Sequence, residues 1–425
     1  MTKLKMLLLF LLLGVSIEFV VRGPYRFLVP RSRLNDITYI YVPARAMIQG
    51  MDPYDPESFV RVCQCDIPAA DGRAHSAYPW TIYVLMAPLA ALPWSLALYV
   101  WAGIQLILVL LMLWALISVG ELTGVWAGAF IVFALALAPL HTGLASGNVS
   151  IAAIALCAIA VWAPASRHDY AAGALLGAAF CLKPQIGICF LAYYVLRRRW
   201  RVILGGAGVA AGIGFAGFLW LSHSYGMTWL HLFLRNAQGF AANNKFNDFT
   251  FNQPMRFTLI NLQVLFYSIG ENAALANWFA LILGAIMLAI WTWSIWRNPS
   301  HPILLELSAI SVVSLLPVYH RSYDAALLIF PLCWSLSRMQ RASPRTGTAA
   351  VALLLMLPFG VPGGALLQGL AARNYIPAGW VGSWWWQAIA MPHEIWLLLF
   401  LACWLLYLLA IRRDRAPGQV ATQAV

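Results

Sequence analysis

Acidic side chains are scarce in this sequence and unevenly placed. Of fifteen Asp and Glu residues, six (Asp36, Asp52, Asp55, Glu57, Asp66 and Asp71) fall between residues 22 and 77. That stretch follows an N-terminal segment, KLKMLLLFLLLGVSIEFVV, apolar enough to live in lipid. Asp36 opens a run with apolar residues at helical spacing, TYIYVPARAMIQG. A carboxylate there has two possible roles. Asp36, like Asn35, could cap a helix by accepting backbone N–H bonds. It could instead be a general base held just outside the bilayer, ready to take a proton from a hydroxyl.

Other residues have a similar double reading. Gly50, Asp52, Pro53 and Tyr54 suit a helix stop and turn, and Asp52 and Tyr54 could also line a substrate pocket. Lys183 lies in the middle of the apolar run 170–197. An unpaired ammonium there costs about 2.5–3.5 kcal/mol on insertion scales. It either snorkels or serves as the cation for an anionic group, reached where Pro184 breaks the helix. His320 and Arg321 end an apolar run. Such a pair suits a phosphate, with Arg giving planar bidentate bonds, or a lipid headgroup. Asp324, one turn on, could orient either of them. In SGNVS, Ser146 or Asn148 could cap a helix. Glu18 and Glu306 lie within apolar runs and are expected to pair with neighbouring helices.

The elements that must hold these groups follow from composition. The chain has 425 residues, 62% hydrophobic and only 10% charged, twenty of them Trp, with a mean hydropathy of +0.76. Soluble chains are about one-quarter charged, so this is an all-α polytopic membrane protein. Candidate spans are 4–21, 79–93, 95–118, 122–140, 148–163, 170–197, 201–222, 274–297, 302–318, 322–337, 348–362 and 393–411, about twelve in all. The run 170–197 is either one kinked helix or two half-helices. Residues 1–413 form a single transmembrane domain, and 414–425 a polar cytoplasmic tail. The first span lacks a cleavage site and reads as a signal anchor.

Lys3 and Lys5, RRRWR (197–201), RNPSH (297–301), SRMQRASPR (337–345) and RRDR (412–415) fall on one side, which the positive-inside rule makes cytoplasmic. Loops 22–77, 223–273 and 363–392 are then outside, and Asn148 inside. Short surface helices are expected at 38–50 and 228–240. The seven arginines of the first loop (Arg22, Arg26, Arg31, Arg33, Arg45, Arg61 and Arg73) defy the charge rule and need a reason, whether lipid phosphates or an anionic substrate. The net charge of +12 sits beside apolar segments and does not imply nucleic acid. Five of the seven Cys lie in apolar runs. Cys63 and Cys65 are expected as free thiols, since a disulfide between near neighbours would be strained. No spacing suggests zinc.

The order of LNDITYIYVPARAMIQGMDPY, SAYPWTIYVLMAPLAALP, HTGLASGNVSIAAIAL, YAAGALLGAAFCLKPQIGICFLAYYVLRRRWR and LLPVYHRSYDAALLIFPL resembles the GT-C glycosyltransferases, most closely glycosyltransferase family 87, which includes polyprenol-phosphate-mannose-dependent mannosyltransferases. The resemblance covers roughly residues 1–335; this chain has Arg321 where the family usually has a second His. It implies a GT-C-like bundle in the inner (plasma) membrane, with termini cytoplasmic and the site periplasmic or extracellular. It makes Asp36 the catalytic base and maps Asp52 and Tyr54 onto the family's Asp-Pro-Tyr element. On charge and position Lys183, His320 and Arg321 are candidates to bind the donor phosphate, and Asp52, Tyr54 and Tyr78 are candidates for the substrate pocket.

The partners implied are a polyprenyl-phosphate-linked sugar (mannose by the resemblance), a glycolipid or glycan acceptor and membrane lipids. No nucleotide-binding Gly-rich loop or DxD element is present, and nothing asks for a metal or another cofactor. A ligase or polymerase of lipid-linked glycans, or a lipid or sugar transporter, would share the oily body. A transporter would more often have paired halves, and a ligase would concentrate its charge in a late loop.

Overall fold

The fold is given by a computed structural model that describes residues 3–29, 35–64, 74–240, 247–253, 255–298, 300–341 and 346–411. Asp66, Asp71, Arg31, Arg33, Arg73, Cys65 and the tail 414–425 lie outside them. Helix makes up 81% of the structure, and among the described residues the only pairing of extended backbone is an isolated bridge between Leu259 and Arg321.

Four helices are long and apolar enough to cross a membrane: Trp94–Gly120, Trp200–Tyr225, Ala273–Arg297 and His393–Ala410. Two bent pairs raise the number to six if each is one span. They are Gly124–Ala136 with Ala138–Ser146, bent by 51°, and Thr346–Gly360 with Gly363–Ala372, bent by 40°. The second pair carries helix into the expected loop 363–392. Five more apolar helices are short, among them Val149–Trp162, Asp169–Leu182 and Pro184–Leu196.

At least one short helix sits where lipid does not reach. Val149–Trp162 is buried on nearly every side, whereas most of Trp200–Tyr225 is not. A helix end exposes backbone groups that hydrocarbon cannot satisfy, so breaks belong inside protein. The break at Gly147–Asn148 follows this rule. The carbonyl of Gly147 accepts from Trp101 Nε1 at 2.9 Å and that of Asn148 from Gln105 Nε2 at 2.8 Å. The run 170–197 resolves into two half-helices. Pro184 has no N–H to give and disfavours helical backbone before it, and Lys183 is extended, at φ −150° and ψ 92°. A third break follows Ile303–Val313, where a turn and the 3-10 segment Ser322–Leu328 precede Ile329–Gln340.

The first loop is largely covered. Thr38–Ile48 is a helix as expected, yet most of it is buried rather than lying on the surface, packed by Pro56–Cys63 and Trp80–Ala90. Arg45 Nη1 donates to the carbonyls of Ala90 and Ala91 at 2.8 and 2.9 Å, at the C-terminus of Trp80–Ala90. Arg22 pairs with Glu18 one turn back, at 2.9 Å. Two of the first-loop arginines thus have local structural work. Thr228–Phe240 is also helical, and its Asn236 Nδ2 reaches the carbonyls of Tyr54 (2.9 Å) and Ser76 (3.2 Å). The free-thiol expectation fails at Cys63, which is disulfide-bonded to a partner outside the described residues. Gln64 takes a left-handed φ of 51°, a sharp turn that residue spacing does not reveal.

Glycines allow the closest helix contact. An ideal Cβ at Gly173 would lie 2.1 Å from Val202 O, and one at Gly177 2.5 Å from Gly206 O. Close backbone approach is how helices associate where no water drives them together. Gly173→Val should therefore destabilise the protein by about 1–3 kcal/mol through overpacking. Gly208→Val, where nothing lies within 4 Å of the added Cβ, should leave thermal unfolding in detergent close to wild type. Equal melting temperatures for the two variants would refute this packing.

Candidate functional site

Asn35, not Asp36, caps the first-loop helix. Asn35 Oδ1 accepts from Thr38 N at 3.3 Å and from Thr38 Oγ1 at 2.8 Å, so Asn35 closes the start of the Thr38–Ile48 helix. Asp36 is left half-buried and available. Its Oδ2 accepts from Asn148 Nδ2 at 2.8 Å. Its other oxygen accepts no hydrogen bond from the described residues.

Asn148 also caps Val149–Trp162, its Oδ1 accepting from Ser150 N at 2.8 Å and from Ser150 Oγ at 2.5 Å. The contact with Asp36 corrects the assignment of Asn148 to the opposite face of the membrane. The bend at Leu137 redirects the chain, and Ala138–Ser146 packs against the Val21–Tyr25 turn that precedes Asp36. Gly147, at φ +67°, makes room: an ideal Cβ there would lie 2.4 Å from Phe27 Cε2.

From Ser150 the polar chain continues inward. Lys183 Nζ donates to Ser150 Oγ at 2.7 Å and to Asp324 Oδ1 at 2.5 Å, and lies 5.0 Å from the centre of the Tyr323 ring. Asp324 is fully buried, and its Oδ2 accepts from His320 Nδ1 at 3.0 Å and from Arg321 N at 3.2 Å. That bond makes Nε2 the remaining polar atom of the buried imidazole, and Nε2 has no hydrogen-bond partner among the described residues. Arg321 Nε donates to Tyr319 Oη at 2.7 Å, and Nη1 to Thr258 Oγ1 at 3.2 Å. Thr258 belongs to a strap fixed by Ile260 N on the His320 carbonyl (3.0 Å) and Leu262 N on the Leu316 carbonyl (2.8 Å).

A cavity of about 350 Å³ adjoins this network, with Tyr78, Lys183, Gln185, Asn247, Tyr319 and Tyr323 among its lining residues. Asp36 is near enough to Tyr78, Tyr323 and Arg321 for its charge to act on each. Asp36, Tyr78, Lys183, His320 and Arg321 therefore meet in one region. Tyr54 does not reach it directly. Its ring is buried against Tyr83 and Phe233, and its hydroxyl donates to the Tyr78 carbonyl at 2.9 Å. Asp52 accepts from Tyr54 N at 2.9 Å, which makes the turn, and burial raises the pKa of its carboxyl from the ordinary Asp value.

Sequence reasoning undervalued Asn148 and gave no role to Ser150, Tyr319 or Tyr323. Asn148 was visible only as a cap, and it is one; nothing in SGNVS reveals that its amide faces an aspartate 112 residues away. Among the described residues, no group of three or more His, Cys, Asp or Glu side chains could hold a metal ion.

A family model described as glycosyltransferase family 87 matches residues 77–319, more than half of the chain, from Ala77 beside the cavity to Tyr319 at its rim. No curated protein and no solved structure matches.

The buried Lys183–Asp324 pair gives a direct test. Breaking one partner of such a pair costs about 3–5 kcal/mol, because the other charge stays buried alone. Lys183→Met should lower the melting temperature steeply, and adding Asp324→Asn to it should recover part of the loss. A double variant as unstable as the sum of the two single changes would show that the charges do not depend on each other.

Proposed function

Since the chain belongs to glycosyltransferase family 87, we propose that it moves a sugar, mannose first among the candidates, from a polyprenyl phosphate to a hydroxyl of a glycolipid or glycan. The protein would be a GT-C-type bundle of about twelve spans, several of them broken, with this site on the outer face of the inner membrane. The observation that carries the reading is the setting of Asp36. It is a half-buried carboxylate held through one oxygen, within electrostatic reach of Arg321, Tyr78 and Tyr323, and the two tyrosines line a half-open pocket with Lys183 and Tyr319.

The chemistry is a single displacement. The acceptor hydroxyl oxygen attacks the anomeric carbon from the face opposite the phosphate, and its proton passes to Asp36. The bond from the anomeric carbon to the phosphate oxygen breaks, and polyprenyl phosphate leaves with one more negative charge. One inversion results. Glycosidases flank the bond with two carboxylates; a phosphate leaving group needs less protonation, so one base suffices. Arg321, His320 and Lys183 would stabilise the departing anion, as preorganised donors do where charge develops. Lys183 already bears the charge of Asp324, which leaves Arg321 the larger share.

Asp36→Asn tests this directly, because the amide oxygen can still accept from Asn148 while the base is gone. Membranes given radiolabelled polyprenyl-phosphate mannose and cell-envelope lipid should lose about 10²–10⁴-fold in transfer, the usual weight of a general base, with protein level unchanged. Transfer at the wild-type rate would refute the assignment.

A further inference from the structure

We infer that Asn148 is a positioning residue that fixes which oxygen of Asp36 takes the proton, and that Ser150 and Lys183 fix Asn148 in turn. This rests on Asp36 being the base, as proposed above.

The direction of every link is set by which atoms can donate. The ammonium of Lys183 has donors only, so the Ser150 hydroxyl must accept from it. That hydroxyl has one proton of its own, and it goes to Asn148 Oδ1, 2.5 Å away. The same amide oxygen also takes Ser150 N at 2.8 Å. Two donors on one side identify it as the oxygen and exclude the flipped amide, which would set N–H against N–H. The amide nitrogen therefore faces Asp36 and donates to Oδ2. Asp36 Oδ1, which accepts nothing from the described residues, is the oxygen left for the acceptor hydroxyl.

The support is stiff because each member is pinned from a different helix. Asn148 and Ser150 are fully buried, and Gln105 of Trp94–Gly120 holds the Asn148 carbonyl. Lys183, in the break before Pro184, is held by Asp324. The N-terminus of Val149–Trp162, with its partial positive charge, lies beside the carboxylate it helps to orient. An amide passes no proton under ordinary conditions, so this chain holds Asp36 and does not drain it. The proton taken up must leave from the cavity side.

Asn148→Ser keeps a residue that caps helices well and removes the only hydrogen-bond donor to Asp36 among the described residues. The expected result is a kcat lower by about a hundredfold, the order lost when a reacting group shifts by ~1 Å. The KM values for donor and acceptor should stay within about twofold, since substrate binding is not what Asn148 supplies. Ser150→Ala cuts the link to Lys183 but leaves the backbone bond to Asn148, so kcat should fall by about tenfold, again with KM steady. An Asn148→Ser kcat within about twofold of wild type, or a fall matched by an equal rise in KM, overturns the inference. Should Asn148→Ser fail to accumulate in membranes, Ser150→Ala decides alone, and an unchanged kcat overturns it. Wild-type membranes that transfer no sugar would sink the proposed function and this inference together; active wild type with an equally active Asn148→Ser sinks only the inference.

Discussion

A lysine and an aspartate buried against each other set the terms for the rest of the structure. Neither Lys183 nor Asp324 could stay charged alone at this depth, since an isolated ion in low dielectric loses several kcal/mol of hydration. Each supplies the other's counter-charge at 2.5 Å, and their remaining capacity is met by Ser150, His320 and the Arg321 N–H. An unbroken helix could not place them so. Lys183 reaches Asp324 from an extended residue between two half-helices, and Asp324 sits in the first turn of a 3-10 segment that ends a third break. The polar contacts and the broken helices are one feature.

The same constraint shapes the charge balance of the proposed reaction. At rest, Asp36 and Asp324 offset Lys183 and Arg321, so the four groups sum to zero. When Asp36 takes the acceptor's proton, the protein side of the site becomes positive by one charge. At that moment the leaving phosphate gains one negative charge. Because these groups are fixed before substrate arrives, the field is available without reorganisation, which is where such sites gain most over water. A site that relied on Lys183 alone would lack this, since Asp324 already claims it.

Much of this was legible in the sequence, for identifiable reasons. Lys183 stands out because an intramembrane ammonium is rare and a following proline breaks the helix. Asp36 stands out because acid is scarce and clustered. Asp324 follows from its four-residue offset to His320. The contacts between distant segments were not legible. Choosing between Asn35 and Asp36 as cap needs backbone geometry, and the link from Asn148 to Asp36 needs the bend at Leu137; Pro139 marks a break there but not the direction the chain takes after it. Hydropathy also reads 148–163 and 170–197 as spans, whereas the structure has a short buried helix at Val149–Trp162 and two partly exposed half-helices at Asp169–Leu182 and Pro184–Leu196. An average over a window cannot tell a lipid-facing helix from one buried among its neighbours.

The distinction between long and short helices has a functional sense. The long helices, such as Trp200–Tyr225 and Ala273–Arg297, present large apolar side chains outward, and an intact backbone ladder is the only one lipid tolerates. Val149–Trp162 is buried among its neighbours, so its broken end can offer N–H groups, carbonyls and side chains to them. Trp101 and Gln105 are where the two classes meet: both belong to a long helix, and both donate to the carbonyls of the Gly147–Asn148 break. A break so held cannot slide along its neighbour without leaving a carbonyl unpaired in an apolar interior. The amide it carries toward Asp36 is therefore as fixed as the bundle itself, and the outer helices contribute to the geometry of the site without touching it.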